Sequence, residues 1–197
     1  MNNDHAKNSL APAYFEDVYN ANEDPWNFTT SEYEAHKYAA TVAALPKESY
    51  DSAFEIGCSI GVLTAQIAER CQRLFAVDVN DRALNQARER CRNLSNVRLG
   101  KMRIPHEFPD ENFDLIVVSE VGYYLNVEDW KRAQTKIVSH LESGGSVVLV
   151  HWTHFVADYP QTGDAVHDSF AGWSAGELKL LDSSRTDDYR LDVWEKL

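Results

Sequence analysis

From residue 50 onward, short apolar runs alternate with stretches whose apolar residues recur every three or four positions. The runs 53–56, 73–79, 97–99, 113–119 and 146–151 are strand-like, while 61–71, 81–92 and 127–142 carry a helical period. This alternation predicts a doubly wound α/β fold: a mostly parallel sheet, helices on both faces and right-handed crossovers. Gly144-Gly145 is expected to cap the last of these helices and lead into the fifth strand. Beyond residue 155 the pattern changes. Thr162-Gly163-Asp164 opens a short helix ending near Gly172. Runs 178–181 and 189–194 then flank Ser183-Ser184-Arg185-Thr186-Asp187 with no crossover helix between them, which predicts an antiparallel hairpin.

Before residue 50 the chain reads as two helices. Leu10, Tyr14, Phe15, Val18 and Tyr19 follow one face, and Asn22-Glu23-Asp24-Pro25-Trp26 breaks it. Ser31-Glu32-Tyr33-Glu34 has capping-box spacing, and the second helix stops before Pro46. Two readings stand for this aromatic-rich segment: helices packed on the sheet, or a lid that closes over a ligand and excludes water. Residues 1–197 are taken as one domain, with a helical cap over 9–46 and the core over 50–197. Residues 1–8 are expected to fray.

Composition narrows the class. The 197 residues carry a net charge of -12, which argues against a nucleic-acid backbone or an anionic membrane surface as partner. No apolar run is long enough to span a bilayer, and Met1-Asn2-Asn3-Asp4 does not read as a signal peptide. Cys58, Cys71 and Cys91 lack the spacing of a disulfide framework or a zinc site, which fits a reducing cytoplasm and predicts no metal.

The candidate chemistry centres on Ala53-Phe54-Glu55-Ile56-Gly57-Cys58-Ser59-Ile60-Gly61, read as a buried strand, a tight turn and a helix start. Such a turn brings backbone N–H groups close to a ligand because glycine has no Cβ to block the approach. Asp78 ends the next apolar run, about 20 residues on, where a carboxylate accepts from ribose hydroxyls. Glu55 would repel a pyrophosphate lying over the turn. S-adenosylmethionine has no phosphate, and its ammonium and sulfonium tolerate negative charge. A nicotinamide-dependent oxidoreductase on the same plan remains an alternative, disfavoured by Glu55 and by the missing G-x-G-x-x-G.

With Ser59 in place of the middle glycine, this stretch resembles the E/D-x-G-x-G-x-G motif of class I S-adenosylmethionine-dependent methyltransferases. That resemblance implies a Rossmann-like, seven-stranded sheet ending in an antiparallel hairpin. Asp24-Pro25-Trp26, Glu55-Ile56-Gly57-Cys58, the run Phe113 through Val121 and Tyr123-Tyr124-Leu125 are together similar to the nodulation protein S (NodS) family. Its members methylate an amine nitrogen on a de-N-acetylated chitooligosaccharide in nodulation-factor synthesis. The resemblance implies that Glu55, Gly57, Cys58 and Gly61 shape the methionine side of a pocket. It further implies that Asp78 holds the ribose, that Val79 packs on the adenine, and that Ser119 and Glu120 line the crevice. The aspartate that reads the adenine amino group in many members is missing from Gly100-Lys101-Met102-Arg103, so backbone groups of Met102 or Arg103 are expected there. Tyr33 and Lys37, one helical turn apart, can reach the methionine carboxylate; Lys37 is otherwise read as a solvated helix face, as are Glu32, Glu34, Asp110 and Glu111.

Methyl transfer to an amine needs an unprotonated acceptor, so a base helps. His151, at the end of the fifth strand, is the first candidate, with His154 and His167 behind it. Glu120 is placed to pair with a substrate ammonium, and Tyr123 or Tyr124 to face a sulfonium. The expected acceptor is a polar small molecule or oligosaccharide, with an O-methyltransferase for a small metabolite as the alternative.

Overall fold

A computed structural model describes residues 8–197; the expectations for residues 1–7 lie outside the described residues. Two helices come first, α1 (Pro12–Ala21) and α2 (Glu32–Ala43). Asp24 shapes the link between them, its Oδ1 accepting from Phe28 N–H at 2.8 Å and its Oδ2 from Thr29 N–H at 2.9 Å. Ser31 Oγ caps α2 by accepting from Glu34 N–H at 3.3 Å. Only this half of the expected capping box forms, because the Glu34 carboxylate turns to Lys37 instead.

The core then runs β1 (Ala53–Ile56), α3 (Val62–Ala68), β2 (Leu74–Asp78), α4 (Asp81–Arg90), β3 (Val97–Lys101), β4 (Phe113–Ser119), a 3-10 turn (Gly122–Tyr124), α5 (Val127–Ser139), β5 (Leu141–Trp152), α6 (Gly163–Trp173), β6 (Leu178–Arg185) and β7 (Tyr189–Lys196). The strands form a seven-stranded sheet in the order β3-β2-β1-β4-β5-β7-β6. β1 to β5 are parallel, and β7 runs antiparallel to β5 and β6. The apolar runs show no alternation because both faces are covered. Ile116 and Val118 of β4 pack toward Trp130 and Ile137 of α5 and Phe170 of α6. Leu115 and Val117 pack toward Tyr38 of α2 and Ile67 of α3. No helix among the described residues is long and apolar enough to cross a membrane.

Two boundaries differ from the sequence expectation. Ser183, Ser184 and Arg185, expected in the hairpin loop, extend β6 and pair with Asp192, Leu191 and Arg190, which shortens the loop. α5 ends at Ser139, and Leu141 already pairs with Phe113 at the start of β5. The next pair is Leu115 with Ser146, so the intervening residues bulge, with Gly144 at φ +71°. Gly144-Gly145 therefore bend a strand rather than cap a helix. Leu141 is 2% exposed, and burying it against Ile137 and Val138 favours the early start of the strand.

The sheet order reverses between β1 and β4. The crevice beyond their C-terminal ends is the topological switch point at which open α/β sheets bind ligands.

Candidate active site

A cavity of about 390 Å³ opens at that crevice. Gly57, Ser59, Asp78, Val79, Ser119 and Glu120 reach it from the strand ends, and Phe15, Tyr19, Trp26, Phe28 and Tyr33 from the leading helices and their link. Its size is that of a small-molecule site.

The turn after β1 is built as its residues dictate. Gly57 has φ +85°, and a Cβ there would lie 2.1 Å from Val121 Cγ2, so any side chain would collide with the segment leaving β4. Ser59 adopts φ +49°, its N–H donating to Asp78 Oδ2 at 2.9 Å and its Oγ bonded to the Tyr19 hydroxyl. Asn80 N–H donates to Asp78 Oδ1 at 2.9 Å. The Asp78 carboxylate is thus oriented by two backbone N–H groups and keeps lone pairs for ligand hydroxyls. Burial raises its pKa against the pull of those N–H groups.

Four residues expected at the cofactor or the reacting group stand back from the cavity wall. Gly61 has φ +80° and faces α4, where an added Cβ would meet Ala87 Cα at 3.0 Å; it is glycine because two helices pass closely there. Cys58 is 4% exposed and packs with Ala76 and Leu84, and burial pushes its thiol well up. Glu55 is 1% exposed and lines a small pocket of about 20 Å³ under the turn, with Gly57, Ser59 and Ser119. Its Oε2 has no hydrogen-bond partner, and burial pushes its carboxyl up to about 7. The fourth is His151. It is fully buried, its Nε2 accepts from Gly122 N–H at 2.9 Å, and burial first, then His167 and Lys37, hold its pKa well below the usual histidine range. With that lone pair committed and no path to the cavity, His151 is not placed to act as the base. His154 is exposed and bonded to Asp188 at 2.8 Å, and His167 is buried behind His151.

Beyond β3, Met102 and Arg103 line the cavity, but their backbone N–H groups are committed. Met102 N–H donates to Asp78 O at 3.0 Å and Arg103 N–H to Glu107 Oε2 at 2.7 Å. An adenine amino group donates, so a stand-in for the missing aspartate would have to be a backbone carbonyl rather than either of these N–H groups. The apolar side chains of Val79, Met102 and Ile104 remain on the wall at that end.

The opposite end holds an acidic cluster. Glu120 follows β4 at φ +60°, a left-handed conformation that a non-glycine residue keeps only where its surroundings enforce it. Its Oε1 meets Lys37 Nζ at 2.5 Å; its Oε2 accepts from the Tyr123 hydroxyl and from Trp152 N–H at 2.9 Å. Lys37 also pairs with Glu34 at 3.0 Å. Lys37 is 2% exposed and Glu34 6%, so the solvated reading of both is corrected. Burial opposes the Lys37 charge, yet Glu120 and Glu34 outweigh it and raise its pKa. Lys37 is thus shared between two carboxyl groups, and burial raises the pKa of Glu34 against the pull of Lys37. The Tyr33 hydroxyl is buried beside them without a partner, with Lys37 Nζ 5.0 Å from its ring centroid. Tyr123 and Tyr124 line the same cavity, their rings edge to face at 4.7 Å.

A family profile, Nodulation protein S (NodS), matches residues 16–155. The chain belongs to the NodS family. A NodS protein of Bradyrhizobium diazoefficiens is 37% identical over 129 residues, 64% of this chain and 62% of that protein. The chain spans about three-fifths of the length of the NodS relatives it matches (62%, 55% and 61%). Among solved structures, a putative methyltransferase from Pseudomonas syringae is 36% identical with TM-score 0.74, covering 84% of this chain and 100% of the other. The N-methyltransferase NodS of Bradyrhizobium japonicum, in complex with S-adenosyl-L-homocysteine, superposes with TM-score 0.82 at 24% identity, over 93% and 97% of the two chains. The seven-stranded sheet with its terminal hairpin is thus the class I methyltransferase fold expected from the sequence. The NodS profile ends at residue 155, so α6, β6 and β7 lie beyond it.

Sequence reasoning missed the Lys37–Glu120 pair. The Tyr33–Lys37 spacing was a signal for Lys37, but nothing local links it to a carboxylate 83 positions away.

Proposed function

We propose that the protein is an S-adenosylmethionine-dependent methyltransferase whose acceptor is an amine nitrogen, on an amino sugar or an oligosaccharide presenting one. The observation that carries this reading is Glu120, an acidic side chain on the cavity wall held in place by Lys37, Tyr123 and the Trp152 amide.

The residues present fit the cofactor. Asp78 offers lone pairs to ribose hydroxyls, and Gly57 leaves the backbone open to close approach. The unpartnered Tyr33 hydroxyl supplies a donor for the methionine end, and Glu55, set back under the turn, supplies charge rather than a direct hydrogen bond. When bound, S-adenosylmethionine supplies an electrophilic methyl group on a sulfonium; the chain positions the acceptor and excludes water. Glu120 already accepts three hydrogen bonds, and a carboxylate has about four lone-pair sites, leaving one for an acceptor N–H. A bond from the amine to that site turns the nitrogen lone pair away from Glu120 and into the cavity. Lys37, Tyr123 and the Trp152 amide hold the carboxylate still while it does so. The proton shed by the methylated nitrogen can pass to Glu120 or to solvent. A cavity of about 390 Å³ shared with the cofactor admits only the amine-bearing end of a long acceptor.

The test is calorimetric titration with S-adenosylhomocysteine, with NAD as parallel control. Methyl transfer from S-adenosylmethionine to glucosamine and to a de-N-acetylated chitooligosaccharide is then measured. Saturable binding of S-adenosylhomocysteine, lost in Asp78→Ala, together with amine turnover, supports the reading. Preferential binding of NAD overturns it; methylation confined to hydroxyl acceptors replaces the amine with an O-methyl acceptor.

A further inference from the structure

Behind the cavity wall lies a chain of buried polar groups that the proposed chemistry does not touch. Gly122 N–H donates to His151 Nε2 at 2.9 Å, His151 Nδ1 lies 3.0 Å from His167 Nε2, and His167 Nδ1 lies 2.7 Å from Asp192 Oδ2. His151, His167 and Asp192 are all 0% exposed. They come from β5, α6 and β7. A backbone amide can only donate, so His151 Nε2 carries no proton and His151 Nδ1 does. That Nδ1–H faces His167 Nε2, which must then accept, leaving His167 Nδ1–H to donate to Asp192. One arrangement of protons satisfies every group: two rings each protonated at Nδ1, with every N–H donating in the direction from Gly122 toward Asp192. Asp192 is held in turn by the Ser183 hydroxyl at 2.6 Å and by Arg190 Nε at 3.0 Å.

The free end of this chain is the turn that carries the acceptor contacts. Gly122 opens the 3-10 turn Gly122–Tyr124, and a Cβ there would lie 2.5 Å from Val166 Cγ1 and 3.0 Å from His151 Nε2. The Tyr123 ring meets the His151 ring edge-on at 5.4 Å, and the Tyr123 hydroxyl bonds Glu120. Trp152, the residue after His151, holds the same Glu120 oxygen through its backbone N–H. His151 thus adjoins two of the three supports of Glu120, Tyr123 through its ring and Trp152 through the chain, Lys37 being the third. Because the rings run from Asp192 to a backbone amide, no proton can pass along them into the cavity; the network orients and does not relay.

We propose that His151, His167 and Asp192 form a positioning network that fixes the Gly122–Tyr124 turn, and with it Tyr123 and Glu120, for the acceptor amine. The inference rests on the amine-methyltransferase reading of the cavity. It assigns a catalytic purpose to α6 and β7, which lie outside the part of the chain matched by the family profile.

The experiment compares His167→Asn, His151→Leu and His151→Gln with the parent, using S-adenosylhomocysteine as cofactor probe and glucosamine or a de-N-acetylated chitooligosaccharide as acceptor. Circular dichroism and amide hydrogen exchange accompany the kinetics. In His167→Asn and His151→Leu the acceptor KM is expected to rise about tenfold or more, while S-adenosylhomocysteine affinity stays within about twofold. Exchange of the peptide holding Gly122 should quicken in both. His151→Gln, whose amide oxygen can accept from Gly122 N–H, should recover most of the acceptor KM. Folded variants with parental acceptor KM and kcat, whatever their melting temperature, would show that the network only stabilises the fold and overturn the inference. If His151→Leu fails to fold, His167→Asn and the exchange of Gly122 decide in the same way. A parent that binds S-adenosylhomocysteine but methylates no amine refutes the amine reading and this inference with it. A working parent with unaffected variants refutes the inference alone.

Discussion

Replacing Glu55 with Gln removes a buried charge while keeping the shape of the side chain, and its effect on stability should depend on pH. Glu55 is 1% exposed with Oε2 unpartnered, and burial pushes its carboxyl from 4.5 up to about 7. The folded protein therefore holds a proton that the unfolded chain releases between those values. Stability must fall as pH rises across that window, and the penalty is complete above about pH 7. At about 1.4 kcal/mol per pH unit the displacement corresponds to about 3 kcal/mol. Glu55→Gln carries no such penalty. Its stability relative to the parent should be nearly level close to pH 5 and exceed it by about 3 kcal/mol at pH 8. Urea denaturation of both proteins without cofactor, at intervals from pH 5 to 8, reads the difference directly. Glu34, also raised by burial, affects both proteins and cancels in the comparison, whereas Asp78, whose charge contributes to the Glu55 shift, loses that coupling in Glu55→Gln. Parallel stability curves would refute the reasoning, since they would mean that Glu55 is solvated or already paired in the folded state. On the proposed function, the parent's affinity for S-adenosylhomocysteine should also rise with pH through about 7, because an ionised Glu55 favours the ligand ammonium. That slope should vanish in Glu55→Gln.

Lys37→Met strips the counterion from Glu34 and Glu120, and the midpoint of urea unfolding should fall by the equivalent of about 3 kcal/mol or more; adding Glu34→Gln should recover part of it. Equal midpoints for Lys37→Met and the parent would mean that the two carboxylates are not buried as a pair. Tyr33→Phe deletes a buried hydroxyl that has no partner, so ligand-free stability should hold or rise by about 1 kcal/mol. Affinity for S-adenosylhomocysteine should drop about fivefold in calorimetry if that hydroxyl bonds the ligand, and unchanged affinity would remove Tyr33 from the site.

Much of this protein is determined locally and is legible in its sequence. The parallel strands announce themselves as unbroken apolar runs because both sheet faces are covered, and Ile116 and Leu115 are buried on opposite sides. The turn after β1 and Asp78 at the end of β2 are likewise local: a glycine that must hold φ +85° against Val121, and a carboxylate 19 positions from the Ser59 amide it accepts from. Periodicity could not see that Leu141 leaves its helix for the sheet, because a β-bulge at Gly144 is a property of two paired strands. Nor could it distinguish Gly57, on the cavity, from Gly61, against α4, since the two share a motif and differ only in what approaches them. The acceptor end was decided by tertiary structure alone. Lys37 meets Glu120 across 83 positions, and the burial that removes water is what makes that pair form. His151 ends a strand just where a catalytic base is wanted, yet the packing of α6 and β7 turns its ring toward His167 and Asp192. Local spacing sets which backbone shapes are possible; the direction of a side chain, and the charge it keeps, depend on neighbours that only the folded chain brings together.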